Sequence, residues 1–240
     1  MVKIIFFGTP DFVDPVRKVL RENFELVKRL EDSDLIVVAS YGRILTKDEL
    51  EIPKYGAINI HPSKLPKYRG SSPIQNQILD RVKESAITFI KMDEEVDHGP
   101  IIASLPFEIL ESDTFESAIN KAFKKASGVL PDIINEFVEG KIKPVEQNHS
   151  QASYTKHLVK DDGYFDANNP PSSDKLDRMI RAYHPWPGVF TKFRIKNQEL
   201  RIKLLPNERV QVEGKKPMAY KDFINGYKEG KEFLTKLNLI

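Results

Sequence analysis

Apolar residues recur along the first 110 positions in short blocks separated by polar turns. Such blocks are typical of buried strands, and amphipathic stretches between them are typical of helices packed on a sheet. Alternation of this kind predicts an α/β domain with a Rossmann-like, mostly parallel sheet. Neither G-x-G-x-x-G nor G-x-x-x-x-G-K-[ST] occurs, so no dinucleotide or P-loop site is indicated. The predicted strands lie near 3–7, 35–39, 57–61, 86–92 and 101–107.

One block does not fit a regular βαβ alternation. Residues 24–27 (FELV) resemble a strand, but only residues 28–34 separate them from the strand at 35–39. A parallel crossover needs a dozen or more residues. We therefore expect either an edge piece at 24–27 or a missing crossover, and no complete helix between Val27 and Leu35.

Further along, the apolar spacing predicts a second, smaller β-rich part. Strands are predicted at 189–195, 199–205 and 208–212, and residues 141–153 are polar enough to be a linker. We therefore expect domains at 1–150 and 151–240. The first predicted helix follows the turn at 8–11 and carries Phe12, Val16, Val19 and Leu20 on one face. The other predicted helices are 46–51, 72–83, 113–140 with a kink at Pro131, 174–183, and 220–237 with a break at Gly226.

The two predicted domains differ in charge although the chain carries only +2. Residues 1–150 have a net charge of −4 and residues 151–240 of +6. A basic module beside an acidic one is typical of a polyanionic partner, although a solvated basic surface has the same pattern.

The absence of cysteine excludes disulfides, thiolate zinc sites and a thiol nucleophile. The apolar run from Ile4 to Phe7 is too short for a signal segment or a membrane span. We therefore expect a cytoplasmic protein that does not enter a membrane.

Candidate chemistry centres on residues 57–75, AINIHPSKLPKYRGSSPIQ. As a strand, 57–61 points Asn59 and His61 to the same face at its end. An amide can stabilise an oxyanion, and an imidazole can exchange a proton near neutral pH. Asp97, in a predicted loop at 93–99, would orient the imidazole. Taken alone, an N-x-H pattern also fits residues that merely cap a turn.

Two other chemistries use the same region. A metal site could form from His61, Asp97 and His98 if their side chains converge. A serine hydrolase would use Ser63 or Ser71, but neither serine lies in a G-x-S-x-G elbow.

Several segments resemble the methionyl-tRNA formyltransferase branch of the folate-dependent formyltransferases. The resemblance covers almost the whole chain, and the C-terminal segments favour the tRNA-modifying branch. The N-terminal segments are GTPDF (8–12), ASYGRIL (39–45), INIHPSKLPKYRGSSPIQ (58–75) and MDEEVDHGPI (92–101); the C-terminal ones are YTKHL (154–158), RAYHPWPG (181–188) and EGKKPMAYKDF (213–223).

The resemblance implies transfer of a formyl group from N10-formyltetrahydrofolate to the amine of charged initiator methionyl-tRNA, with no metal. It implies direct attack by the amine, with Asn59, His61 and Asp97 stabilising the tetrahedral intermediate. It also assigns the folate to a set of residues in the loops after two strands. These residues are Gly42, Arg43, Leu45, Asp93, Glu94 and Val96.

Acceptor recognition is expected to differ from the family pattern. In the family, a further βα unit and a basic loop occupy the position of the short connection 28–34, and the C-terminal domain is an OB-like barrel. This chain therefore resembles a shortened version with a reduced OB-like domain. The amino-sugar nucleotide N-formyltransferases share the trio and are the nearest alternative. A non-catalytic folate- or RNA-binding module is a third.

Four residues are candidates for binding the acceptor. Phe12 corresponds to a family residue near the methionyl side chain, but it equally fits a core position on its helix. Lys64, Lys67 and Arg69 follow His61 closely and are expected to contact tRNA phosphates, unless they form a merely solvated loop.

Overall fold

The computed structural model describes residues 1–196 and 198–240, and these form two compact units. The first unit contains residues 1–74, 82–111 and 117–157, and the second contains residues 75–81, 112–116 and 158–240. The proposed domain division at 150/151 stays a prediction.

The strands and helices are numbered in chain order. The strands are β1 Lys3–Phe7, β2 Glu25–Leu26, β3 Leu35–Val38, β4 Ala57–His61, β5 Arg69–Gly70, β6 Glu84–Lys91, β7 Ile101–Glu108, β8 Tyr154–Thr155, β9 Val189–Ile195, β10 Gln198–Leu205, β11 Arg209–Val212 and β12 Met218–Ala219. The α-helices are α1 Asp14–Asn23, α2 Lys47–Glu51, α3 Pro73–Leu79, α4 Phe115–Ser127, α5 Leu130–Val138, α6 Ser173–Tyr183, α7 Tyr220–Gly226 and α8 Gly230–Lys236. Single 3₁₀ turns occur at Asp11–Val13, Leu30–Asp32, His149–Gln151 and Lys160–Gly163.

A six-stranded sheet in the order β2-β1-β3-β4-β6-β7 forms the centre of the first unit. The pairs β2–β1, β1–β3 and β3–β4 are parallel, whereas β6 is antiparallel to both β4 and β7. All four residues of β3 are buried, as expected of an inner strand covered on both faces. The predicted Rossmann-like α/β class is confirmed, and so are the five main strands.

The irregular block at 24–27 is an edge piece. Two of its residues form β2, which pairs with the outer side of β1. Residues 27–34 contain only the 3₁₀ turn Leu30–Asp32, so the expected absence of a helical crossover is confirmed. The connection passes across one strand, a distance of about 10 Å that eight residues span easily.

The single long helix predicted at 113–140 is wrong. The chain forms two helices, α4 and α5, separated by Gly128 and Val129. Pro131 does not kink a helix; it lies in the first turn of α5, where its missing N–H has no intrahelical partner to lose.

The second unit contains an antiparallel sheet in the order β12-β11-β10-β9. Its three long strands are those that the sequence predicts, and β12 adds a fourth of two residues. The smaller C-terminal β-rich part is therefore confirmed. The terminal helix is interrupted at Gly226 as predicted, where α7 ends. Within the described residues, no helix has the length and apolarity needed to cross a membrane.

Candidate active site

Strand β4 presents Asn59 and His61 to one carboxylate. It lies between β3 and β6, and His61 is its last residue. The Asn59 amide Nδ2 donates to Asp97 Oδ1 at 2.8 Å. The His61 Nδ1 lies 3.4 Å from Asp97 Oδ2. The structure therefore brings the three predicted catalytic residues together, although Asp97 is 38 positions from Asn59 in the chain.

The loop between β6 and β7 places Asp97 by folding tightly on itself. Asp97 has a φ of 49°, in the left-handed region that Asp tolerates better than most residues. Gly99 lies so close to the neighbouring strand that a Cβ would be 1.9 Å from the Lys91 carbonyl oxygen. Asp97 Oδ2 also accepts a 2.8 Å hydrogen bond from the Gly70 backbone N–H. Contacts from β4 and from β5 therefore fix the carboxylate.

His61 has oxygen neighbours at both ring nitrogens. It is 4% exposed, and its Nε2 lies 2.9 Å from the Tyr68 carbonyl oxygen. A carbonyl oxygen can only accept a hydrogen bond, so Nε2 carries the hydrogen and is the donor. With Asp97 beside Nδ1, a ring that carries a proton on each nitrogen has an acceptor for both.

The alternative serine and metal chemistries find no support in this geometry. The Ser63 hydroxyl is fully buried and donates to the Lys67 carbonyl at 2.7 Å, which ties it into the turn after β4. Ser71 is exposed. Across residues 1–196 and 198–240, no group of three or more His, Asp or Glu side chains could hold a metal ion.

The three cations that follow His61 are placed differently from one another. Lys64 and Lys67 are exposed, as expected of phosphate contacts. Arg69 is 1% exposed, so its guanidinium lies inside the first unit and not on the surface with the two lysines.

The segment predicted as a linker supplies residues to this site. Gln147 is 5% exposed, and its amide reaches the backbone of the Asp97 loop and the guanidinium of Arg69. His149 of the same segment and Tyr154, the first residue after it, also bind Arg69. Sequence reasoning missed these residues, because a glutamine in a polar stretch has no periodicity that distinguishes a buried contact from a solvated one.

Of the predicted folate residues after β3, Leu45 lies in the core, whereas Gly42 and Arg43 are exposed. Leu45 is buried in an apolar cluster with residues of β1, β3 and β4. Arg43 forms a two-point ion pair with Glu49, with N–O distances of 2.7 and 3.0 Å. Gly42 has a φ of 77° and open space where a side chain would lie.

The ion pair between Arg43 and Glu49 shifts the pKa of both groups. The guanidinium, assisted by the Thr46 backbone N–H, lowers the pKa of the Glu49 carboxyl to about 2. The same carboxylate, with the Tyr41 hydroxyl, raises the pKa of Arg43. Glu49 and Thr46 also form a capping box at the start of α2, which fixes the base of this loop.

Two of the three predicted folate residues before Asp97 lie beside a cavity of about 340 Å³. Asp93 and Glu94 line it together with the apolar side chains of Leu50 and Met92, whereas the predicted catalytic trio does not. Three lysines also line it: Lys47, Lys54 and Lys91. Asp93 also binds His98 Nδ1 at 2.7 Å, and Val96 is 42% exposed. Within this lining of mixed charge, carboxylates next to apolar side chains suit a flat heterocycle that carries N–H donors.

Phe12 stacks on Phe123 of α4, with ring centroids 5.7 Å apart and an angle of 11° between the planes. It is half-buried, so the ring packs on the core while keeping one part accessible. This placement is compatible with both interpretations of the sequence.

Comparison with known proteins connects this site to one family. The family model described as "Formyl transferase" matches residues 7–134. A methionyl-tRNA formyltransferase of Roseiflexus sp. (strain RS-1) is 39% identical over 161 residues, which cover 67% of this chain and 49% of that protein. One of Dictyoglomus turgidum is 32% identical over 253 residues, covering 92% of this chain and 80% of that protein. The chain thus spans about half the length of the Roseiflexus relative.

Two solved structures share the fold. A methionyl-tRNA formyltransferase from Clostridium thermocellum has a TM-score of 0.69 at 20% identity, covering 89% of this chain and 97% of that one. An N-formyltransferase from Helicobacter canadensis, in complex with folinic acid and dTDP-3-aminofucose, has a TM-score of 0.64 at 17% identity, covering 88% and 95%. A protein named for methionyl-tRNA and one in complex with a sugar nucleotide therefore share this architecture.

Proposed function

This chain belongs to the formyl transferase family, and from that premise we propose that it transfers a formyl group from N10-formyltetrahydrofolate to the amine of charged initiator methionyl-tRNA. The convergence of Asn59 and His61 on the Asp97 carboxylate carries the proposal. The Roseiflexus and Dictyoglomus relatives are named methionyl-tRNA formyltransferases, which supports this acceptor. A cytoplasmic location is part of the same proposal.

The trio has the donors that this chemistry needs. An amide carries two N–H hydrogens, so Asn59 has one for a developing oxyanion beyond the one given to Asp97. His61 is within reach of Asp97, which holds the ring and any charge it gains during proton transfer. An α-amine has a reference pKa of about 7.7–8.0, so a useful fraction is neutral near pH 7.5 without a strong base.

Folate binding is supported by the loops on either side of the trio. When bound, N10-formyltetrahydrofolate would supply the formyl group. Asp93 and Glu94 would accept hydrogen bonds from its heterocycle, Leu50 and Met92 would pack against the ring, and the open space at Gly42 would admit the ligand beside Arg43. Phe12 would contact the methionyl side chain, and Val96 and Leu45 would border the folate.

The test is a formyl-transfer assay with purified full chain and N10-formyltetrahydrofolate. Charged initiator tRNA and a set of amino-sugar nucleotides are offered in parallel. We expect formylmethionyl-tRNA as the product. Formylation of a sugar nucleotide alone would favour the second acceptor class, whose members share the fold. Binding of folate and tRNA with no product would indicate a non-catalytic module.

A further inference from the structure

Gln147 is bound to the backbone turn that carries Asp97. Its Nε2 lies 2.9, 3.0 and 2.7 Å from the carbonyl oxygens of Asp97, His98 and Gly99. Three successive carbonyls converge on one donor only where the chain curls, and the left-handed φ of Asp97 is part of that curl. The amide therefore stabilises the backbone conformation that aims the catalytic carboxylate.

The other end of the same amide binds Arg69. Gln147 Oε1 accepts from Arg69 Nη2 at 2.8 Å, and His149 Nδ1 accepts from the same nitrogen at 2.9 Å. Arg69 Nη1 donates to the Tyr154 hydroxyl at 3.2 Å. In the described part of the chain, these polar partners are all neutral and no carboxylate pairs with the buried guanidinium.

Burying a cation among neutral partners costs free energy. Desolvating a charge costs several kcal/mol, and apolar residues of similar volume often stabilise a protein as well or better. Packing alone therefore does not explain Arg69.

The backbone on either side of Arg69 explains its position. The carbonyl of Tyr68 accepts a hydrogen bond from His61 Nε2, and the N–H of Gly70 donates one to Asp97 Oδ2. A shift of residue 69 would therefore move the contacts of both catalytic side chains. Its side chain, through Gln147, also reaches the backbone of Asp97 itself.

We infer that Gln147 and Arg69 are positioning residues, which couple the turn after β4 to the Asp97 loop and hold His61 and Asp97 in register. This inference rests on the proposed function for its meaning in catalysis. The sequence predicts a phosphate contact for Arg69, but its side chain is 1% exposed, so in this proposal neither Gln147 nor Arg69 contacts substrate. Both act through the backbone of residues 68–70 and 97–99.

The experiment compares Gln147→Ala with Gln151→Ala in the full chain. Gln151 lies in the same segment but is exposed, so its variant controls for the chemical change. We expect Gln147→Ala to lower kcat by about 10- to 100-fold, the effect of misplacing catalytic groups, while KM for tRNA and folate changes less than about 3-fold. Gln151→Ala should match the wild type.

A second measurement reports on the His61 imidazole directly and does not depend on enzymatic activity. Its imidazole NMR signal is assigned by its loss in His61→Ala, and we expect its chemical shift to change in Gln147→Ala but not in Gln151→Ala. Gln147→Glu should behave like Gln147→Ala, since it keeps an acceptor for Arg69 but loses the donor to the three carbonyls. Circular dichroism checks the fold of each variant; if Gln147→Ala unfolds, Gln147→Asn carries the same prediction.

The outcomes separate the two proposals. An unchanged His61 signal in Gln147→Ala, with or without a fall in kcat, would overturn the positioning role, as would wild-type kcat in Gln147→Glu. A wild-type chain without formyl transfer would reject the proposed function, while the His61 signal would still report whether Gln147 positions the trio.

Discussion

Two sets of polar residues lie within ten positions of each other and are held in opposite ways. Asn59 and His61 have partners fixed by the fold, namely a carboxylate on another loop and a backbone carbonyl. Lys64 and Lys67 are exposed, so their ammonium groups are accessible to solvent. Bond-making chemistry needs groups held in place before the reaction, whereas attraction to a polyanion needs only charge near its path.

The largest expected effect follows from removing members of the fixed set. Asn59→Ala, His61→Ala and Asp97→Ala should each lower kcat by about 10² or more, as for a lost oxyanion donor or proton-transfer group. Folate affinity should change far less for Asn59→Ala and His61→Ala. Steady-state kinetics with both substrates, plus folate binding by calorimetry, would check this; near-normal turnover in His61→Ala would reject the mechanism.

A second prediction tests whether the backbone at β5 belongs to the fixed set. Gly70 has a φ of 105°, and a Cβ there would be 2.5 Å from the Thr155 carbonyl oxygen. Gly70→Ala should therefore strain the backbone that donates to Asp97, lowering the free energy of unfolding by about 2 kcal/mol or more and kcat by about 10-fold.

Gly140→Ala is the matched control for that experiment. Gly140 has a φ of 73° but no atom near its Cβ position, so its variant has the strain without the collision. Urea unfolding and turnover measured on both variants would separate the effect of backbone strain from the effect of the collision. Equal turnover in the two would show that the close approach at Gly70 does not matter for Asp97.

Features of the fold that depend on local spacing could be predicted from the sequence, whereas contacts between distant segments could not. Strand β4 and the shared face of Asn59 and His61 follow from a period of two along the chain, which local sequence reports directly. The edge position of β2 follows from the length of the connection at 28–34, because reach limits topology. These features depend on local spacing and are visible in one sequence.

The contacts of Arg69 and Gln147 depend instead on packing between distant segments. They are 78 positions apart, and each belongs to a polar stretch that equally suits an exposed loop. Arg69 and Lys67 have the same charge and nearly the same position, yet one is buried and the other exposed. Only the fold, which pairs β5 with β8, distinguishes them.

The exposed lysines allow a smaller prediction, about salt. If Lys64 and Lys67 each neutralise one tRNA phosphate, Lys64→Gln and Lys67→Gln should each reduce the log–log slope of KM against salt by about 0.7–0.9. Lys18→Gln, which alters an exposed lysine on α1, should leave the slope unchanged. KM for charged tRNA at several salt concentrations is the measurement, and a slope of zero in the wild type would reject phosphate docking.

The smallest expected effect concerns the ion pair between Arg43 and Glu49. This pair lies at the surface, unlike the trio of Asn59, His61 and Asp97, whose partners are fixed by the fold. The pKa of Glu49 is lowered to about 2 from its ordinary value of 4.5. A depressed carboxyl stabilises the folded state above its ordinary pKa, and this contribution is lost as the pH falls from about 4.5 towards 2. Because the pair is exposed, the loss should be small and should weaken with added salt.

Carboxyl NMR should give a Glu49 midpoint near 2 in the wild type and a higher one in Arg43→Gln. Thr46 would still donate its backbone N–H to Glu49 in that variant, so the midpoint should stop short of the ordinary value. A midpoint that is the same in both proteins would mean that the ion pair does not persist in solution, leaving Arg43 free to bind a ligand instead.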